Sequence, residues 1–381
     1  MARAPLRWLT SAVAVAIAAG ACSRGSDPAP GTTTGASVAS STGAATASAA
    51  PDAALSPAAG DAGPETGGDA AIEGGSPTLA GEADGAADAH PQHFDTLEDL
   101  LALIEVAPRE KQKLRRGVDA DELLRKLIGP GTQARGNQGN PELARHDISR
   151  AQCLAGLSGI TVQTDEQRAR CGGHENMVPV YKKGDPARAK ICVDVFEYPN
   201  KACELPYVWV PPISAARLCE AAGKRLCTQE EWVLACSGDP EGGKPWKHAY
   251  GNDLDLTICN TNKSAKATKC DPDSAKSAWK TCATNSEPAG SFPKCRSRFG
   301  VFDMHGNVAE EMTRYDPDGH VYSQLKGSAF FYVDVARKPG DKPVKENYPD
   351  HCAHDPRWHV ERMDDAWHVN YHLGFRCCLP L

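Results

Sequence analysis

Fifteen cysteines are the first chemistry this sequence offers. Setting Cys22 aside, fourteen lie between Cys153 and Cys378, an even number that suits either disulfides or metal sites. Zinc sites need short ligand spacings. The chain contains neither a CxxC pair nor an HExxH segment, so disulfides are the favoured reading. Histidine is the second group: His351, His354, His359, His368 and His372 put five of twelve into a short stretch, with Asp350, Asp355, Asp364 and Asp365 among them. Imidazoles bind copper, iron or zinc, so one expectation is a metal site ligated by His351, His354 and His359. The other is a set of loop histidines beside Trp358, Trp367 and Tyr371 packed on the core. No known ligand spacing is matched, which favours the second.

The elements that must position these groups begin with an export signal over residues 1–22. Arg3 and Arg7 precede a short apolar run from Leu9 to Ala19, too short for a permanent membrane span. The small residues before Cys22 resemble the lipobox of bacterial lipoproteins, whose Cys is lipidated. Ala19 stands where such boxes carry Leu, which leaves cleavage by the ordinary signal peptidase open. Ser23 follows in place of the Asp that marks inner-membrane retention. The expectation is therefore an exported protein of the cell envelope, either an outer-membrane lipoprotein or a periplasmic protein. Residues 23–92 are nearly all Ala, Gly, Ser, Thr and Pro, and read as a disordered tether. Nine acids and Arg24 in that stretch account for the net charge of −7 and leave the remainder close to neutral, with no footprint for nucleic acid.

Residues 93–150 predict a small helical segment and linker. Thr96 with Asp99, then Asp119 with Glu122, are helix starts; Leu97, Leu100, Leu101 and Ile104 share one face, as do Leu123, Leu124 and Leu127. From 151 to 381 short strands and turns dominate. The clearest helix runs from Ser214 to Ala222 before Gly223, and another starts at Thr228 with Glu231 as its capping partner.

Read together, these stretches resemble a known family. Gly223-Lys224-Arg225-Leu226-Cys227-Thr228-Gln229-Glu230-Glu231-Trp232 is similar to "GKRLPTEAEWEYA", and Phe299 to Glu310 is similar to "GLYDMAGNVWEW". Cys192 to Asn200 stands for "CIDRYEVTN", Lys326-Gly327-Ser328 for "RGGS", and Gly374-Phe375-Arg376-Cys377 for "GFRC". The blocks occur in order over most of residues 151–381 and resemble the formylglycine-generating enzymes, or sulfatase-modifying factors. The resemblance implies an irregular α+β fold related to C-type lectins, poor in regular structure and disulfide-rich.

It also implies residue roles. Cys219–Cys377 and Cys236–Cys352 match family disulfides, and Cys227 and Cys378 suggest a third bond. Cys153–Cys171, Cys192–Cys203, Cys259–Cys270 and Cys282–Cys295 are then expected as local staples. Calcium, a structural ion in the family, is implied at Asp303, Gly306, Val308 and Glu310, and at Asn260 and Thr261 with Asp271 or Asp273. The catalytic pattern departs from the family. Its two copper-binding cysteines, five apart after "GGS", correspond to Phe331 and Ala336, and no Cys occurs from Arg296 to His351. Ala309 and Glu311 replace the tryptophans of "WEW". No catalytic residue is therefore assigned and copper is not expected. The expectation is an anchored binding or scaffold module for an unidentified protein or small-molecule ligand, held at the membrane by its lipid. The competing readings are an oxidoreductase with histidine-ligated nonheme iron or copper, and a purely structural envelope protein.

Overall fold

The computed structural model of the chain describes residues 96–128, 138–261, 270–271, 274–331, 351–354 and 360–381. The signal and tether readings, with Cys22, fall outside these residues, as do Asp273, Ala336, Asp350, Asp355, Trp358 and His359. Short elements dominate. The helices are α1 (Leu97–Ala102), α2 (Ala120–Leu127), α3 (Arg150–Leu157), α4 (Asp165–Arg170), α5 (Pro212–Ala221), α6 (Gln229–Ser237) and α7 (Ala275–Thr281). The strands are β1 (Met177–Val180), β2 (Ile191–Asp194), β3 (Arg225–Leu226), β4 (Ala309–Tyr315), β5 (Val321–Lys326), β6 (Leu373–Phe375) and β7 (Cys377–Pro380). Among the described residues no helix is long and apolar enough to cross a membrane.

Helices this short are not stable alone, and side-chain caps define where they begin. Capping boxes pair Thr96 with Asp99, Ser149 with Gln152, Thr164 with Gln167, Thr228 with Glu231 and Ser274 with Ser277. The strands form two small sheets, in the orders β1-β2-β7-β3 and β5-β4-β6. All pairs are antiparallel except β4 with β6. Arg376 is the single residue between β6 and β7, so it joins the two sheets covalently as well as chemically.

The helical segment before the main domain is part of its core rather than a linker. Leu100, Leu124 and Ile128 pack with Tyr198, Tyr207, Leu218 and Phe375. The Tyr207 hydroxyl donates to the Leu100 carbonyl at 2.6 Å, and Ala107 N–H donates to Ala221 O at 3.0 Å. Residues 138–149, expected as a polar connection, are tied down in the same way: Glu287 accepts from the amides of Asp147 and Ile148, and Asn140 donates to Trp279 O.

Seven disulfides link the domain. Cys219–Cys377, Cys227–Cys378 and Cys236–Cys352 close loops of 158, 151 and 116 residues. In the chain-entropy view each stabilises by about 5 kcal/mol. Cys377 and Cys378 are neighbours on β7, and the two-residue period of a strand sends them to opposite faces. One therefore holds α5 and the other the chain entering α6. The local staples are a correction. Cys153 pairs with Cys203 and encloses Cys171–Cys192; Cys259 pairs with Cys295 and encloses Cys270–Cys282. The physical reason is that the chain folds back on itself between the outer and inner pairs. The β1–β2 hairpin and helix α7 bring inner with inner and outer with outer.

Candidate functional site

The oxidase centre of the family would lie where β5 ends. Gly327 has φ +71, and a Cβ there would stand 3.1 Å from Met304 O, so the glycine of this motif is needed for both conformation and space. Ser328 accepts from Gly306 N–H at 2.8 Å, and Phe330 N–H donates to Asn307 O at 2.8 Å, which locks the strand exit onto the second motif block. Phe331, at the first cysteine position, packs with its ring centroid 5.2 Å from Phe330 and 5.1 Å from His372, with Tyr371 alongside. The place is filled by aromatic rings. Every cysteine from 153 to 378 is in a disulfide, so none offers a thiolate.

The motif residues themselves brace the fold. Arg376 is fully buried and forms a two-point ion pair with Glu310, at 2.7 Å from Nε and with a second bond from Nη2. Its remaining N–H groups donate to the carbonyls of Asp194, Val195 and Phe302. Trp232 Nε1 adds a donor to Glu310 at 2.7 Å. Beside them Glu197 accepts from Val308 N–H and from the Asn307 side chain. Burial, with Asp303 and Glu310 adding to it, pushes Glu197 well above the usual carboxylate range. Burial raises Asp303 to about 7, against the Gly290 N–H and Arg376, which favour its charged form. A second brace centres on Lys224, which reaches Asp194 at 3.0 Å and Glu105 at 2.9 Å.

The residues of the calcium expectation, Asp303, Gly306, Val308 and Glu310, lie within this network. Both Glu310 oxygens are engaged by Arg376 and Trp232, and Asp303 accepts from Gly290 N–H at 2.7 Å. Glu310 is thereby the partner of a buried arginine, and Gly306 N–H donates to Ser328. Asn260 and Thr261 are buried, and Asn260 donates to Asn307 and to Asn285 O. Four histidines of the histidine-rich stretch lie in the described residues. His351 and His354 stack with centroids 5.3 Å apart, His372 packs on Phe331 and Tyr371, and His368 N–H donates to Glu361. Among the described residues, no three ligand atoms from that stretch come within 4.8 Å of one another.

Two features escaped sequence reading. Glu311 is buried at 1% exposure, with neither oxygen hydrogen-bonded. Its only signal was an acid in a tryptophan position. His305 lies against the Cys236–Cys352 bond; its signal was His where the second motif carries Ala.

A family model described as "Sulfatase-modifying factor enzyme 1-like domain" matches residues 119–380. The chain is 30% identical over 136 residues to the inactive C-alpha-formylglycine-generating enzyme 2 of Mus musculus, a match covering 35% of this chain and 39% of that protein. It thus spans well under half of that relative. Among solved structures, the crystal structure of CarF aligns with a TM-score of 0.33 at 15% identity, covering 54% of this chain and 93% of that one.

Proposed function

The chain belongs to the sulfatase-modifying factor family, and we propose that it is a member without the family's copper-dependent cysteine oxidation, serving as an exported binding or scaffold module. The observation that carries this reading is the fate of the cysteines. Copper(I) activation needs soft thiolates, and all fourteen cysteines of the domain are consumed in disulfides. Phe331 and its aromatic neighbours occupy the first of the two thiolate positions. A fold can persist when its best-known chemistry is lost.

A surface suited to a ligand supports the binding role. A cleft of about 500 Å³ has Val180 and Ile191 in its floor and Lys182, Lys183, Arg188 and Lys190 around its rim. Glu230 and Glu231 complete it, the latter neutralised by Arg225. Such a lining favours an anionic ligand with an apolar body. Export and anchoring rest on the basic start, the short apolar run and Cys22, together with a disulfide density that requires an oxidising compartment. Calcium enters the proposal at Asp303, Gly306, Val308 and Glu310, and at Asn260 and Thr261 with Asp271; loss of thermal stability on chelation would support it.

The test is direct. The purified chain is incubated with a cysteine-containing peptide, copper(I) and oxygen, and the peptide is followed by mass spectrometry. Unchanged peptide is the expected result. Oxygen-dependent conversion of cysteine to formylglycine would sink the proposal.

A further inference from the structure

His305 is unused by anything above. Its ring is fully buried, and Nε2 lies 3.5 Å from Cys236 Sγ and 3.7 Å from Cys352 Sγ. Ala249 N–H donates to the same nitrogen at 2.9 Å, which marks Nε2 as the ring atom carrying the lone pair. Helix α6 supplies Cys236, the second motif block supplies His305, and the segment 351–354 supplies Cys352. The three ligand atoms lie within 4.8 Å of one another, and all three residues are buried.

The spacing fits a metal. A tetrahedral zinc ion with bonds of about 2.3 Å to sulfur and about 2.0–2.1 Å to nitrogen holds each sulfur about 3.5–3.6 Å from the nitrogen. The Cys236 distance of 3.5 Å meets that requirement and the Cys352 distance of 3.7 Å lies just beyond it. The covalent bond between the sulfurs and the Ala249 N–H bond to Nε2 stand in the way. We propose that Cys236, His305 and Cys352 form a redox-gated site for a thiophilic cation, Zn²⁺ or Cu⁺, open only when this disulfide is reduced.

The step balances as follows. A dithiol reductant delivers two electrons and two protons to the Cys236–Cys352 bond and itself becomes a disulfide. The cation then displaces the two thiol protons, and His305 exchanges its bond from Ala249 for a bond to the metal. Exchange with an oxidised dithiol, whose disulfide accepts the two electrons and becomes a dithiol, re-forms the Cys236–Cys352 bond and expels the ion. All three ligands are buried, so the reductant and the cation reach them only through local opening, and the site holds a metal independently of whether the domain oxidises peptides.

To test this, the full chain is titrated with a dithiol reductant, with and without Zn²⁺, then alkylated and mapped by peptide mass spectrometry. Zn²⁺ should lower the reductant ratio needed to open Cys236–Cys352 at least tenfold, leave the other six bonds unmoved, and have no such effect in His305→Ala or His305→Asn. Co²⁺ in place of Zn²⁺ should give thiolate-to-cobalt charge-transfer absorption in the wild type and none in the Cys236→Ala/Cys352→Ala chain. A Cu⁺ arm identifies the preferred ion by the larger shift. The same opening ratio with and without Zn²⁺, an equal shift in a histidine variant that folds, or loss of the fold before this bond opens would each overturn the proposal.

Discussion

Replacing Glu311 by Gln should make the domain more stable at neutral pH and change little in acid. Glu311 sits in β4 opposite Leu325 of β5 and Phe375 of β6, and neither carboxylate oxygen has a hydrogen-bond partner. Burial first, and then the nearby Glu361, push its carboxyl well above the usual range. A group raised in this way contributes stability that is fully present below the unfolded-chain pKa, about 4.3, and is lost as pH rises through the folded-state value. Stability is therefore lost as the pH rises above the unfolded-chain value, because ionising a buried carboxyl without a partner is costly. Glutamine has the same size and cannot ionise. Its buried amide costs much the same as a buried neutral acid, so that contribution largely cancels. The variant should match the wild type to within about 1 kcal/mol at pH 4 and exceed it increasingly as the pH rises, by the order of a few kcal/mol that a buried unpaired carboxylate costs. Guanidinium unfolding with the disulfides intact, read by fluorescence of buried Trp209 and Trp232 from pH 4 to 8, measures both curves. Asp303 titrates in both proteins and drops out of the comparison. A difference between the two proteins that does not vary with pH would refute the assignment of a buried neutral acid.

Three further outcomes are expected. Arg376→Met strands Glu310 as a buried, unpaired charge and should lower the unfolding free energy by about 3–5 kcal/mol in guanidinium melts. Burial alone would raise the Glu105 carboxyl, but His174 and Lys224 outweigh it and hold it at about 2. That stability is present above about pH 4.3 and lost as pH falls toward 2; Glu105→Gln should cost about 1 kcal/mol at pH 6, after screening at this part-exposed site, and nothing measurable at pH 2. Peptide mapping of the denatured, non-reduced chain should find Cys153–Cys203 and Cys259–Cys295 as the outer members of nested pairs, with no alkylatable thiol between residues 153 and 378.

What was legible in the sequence came from blocks in which several constraints coincide. Thr228, Glu231 and Trp232 announce a capped helix, and Gly223 ends the helix before it at φ +74. Three long disulfides could be carried over because their cysteines sit in or near motif positions. The four shorter bonds could not, because distance along the chain was the only guide and it fails where the backbone doubles back. Glu310 shows a related limit: spacing reveals an acid but not which partner neutralises it, and Arg376 lies 66 residues away. Helices α1 and α2 were visible from their caps and apolar faces. Their attachment through Glu105 and Lys224 was not, since an ion pair spanning 119 positions leaves no periodic trace.

The nesting of the disulfides also bears on how the molecule is made. A chain emerging from its N-terminus presents Cys171 to Cys153 well before Cys203 is synthesised, and Cys270 to Cys259 well before Cys295. Joining cysteines in order of appearance would produce pairs the native fold does not contain. Cys219 and Cys227 must meanwhile wait for Cys377 and Cys378, 158 and 151 residues later. Mispaired sulfurs are released only by attack of another thiolate. The native pairing is therefore reached only if early mismatched bonds stay open to exchange until β7 is in place.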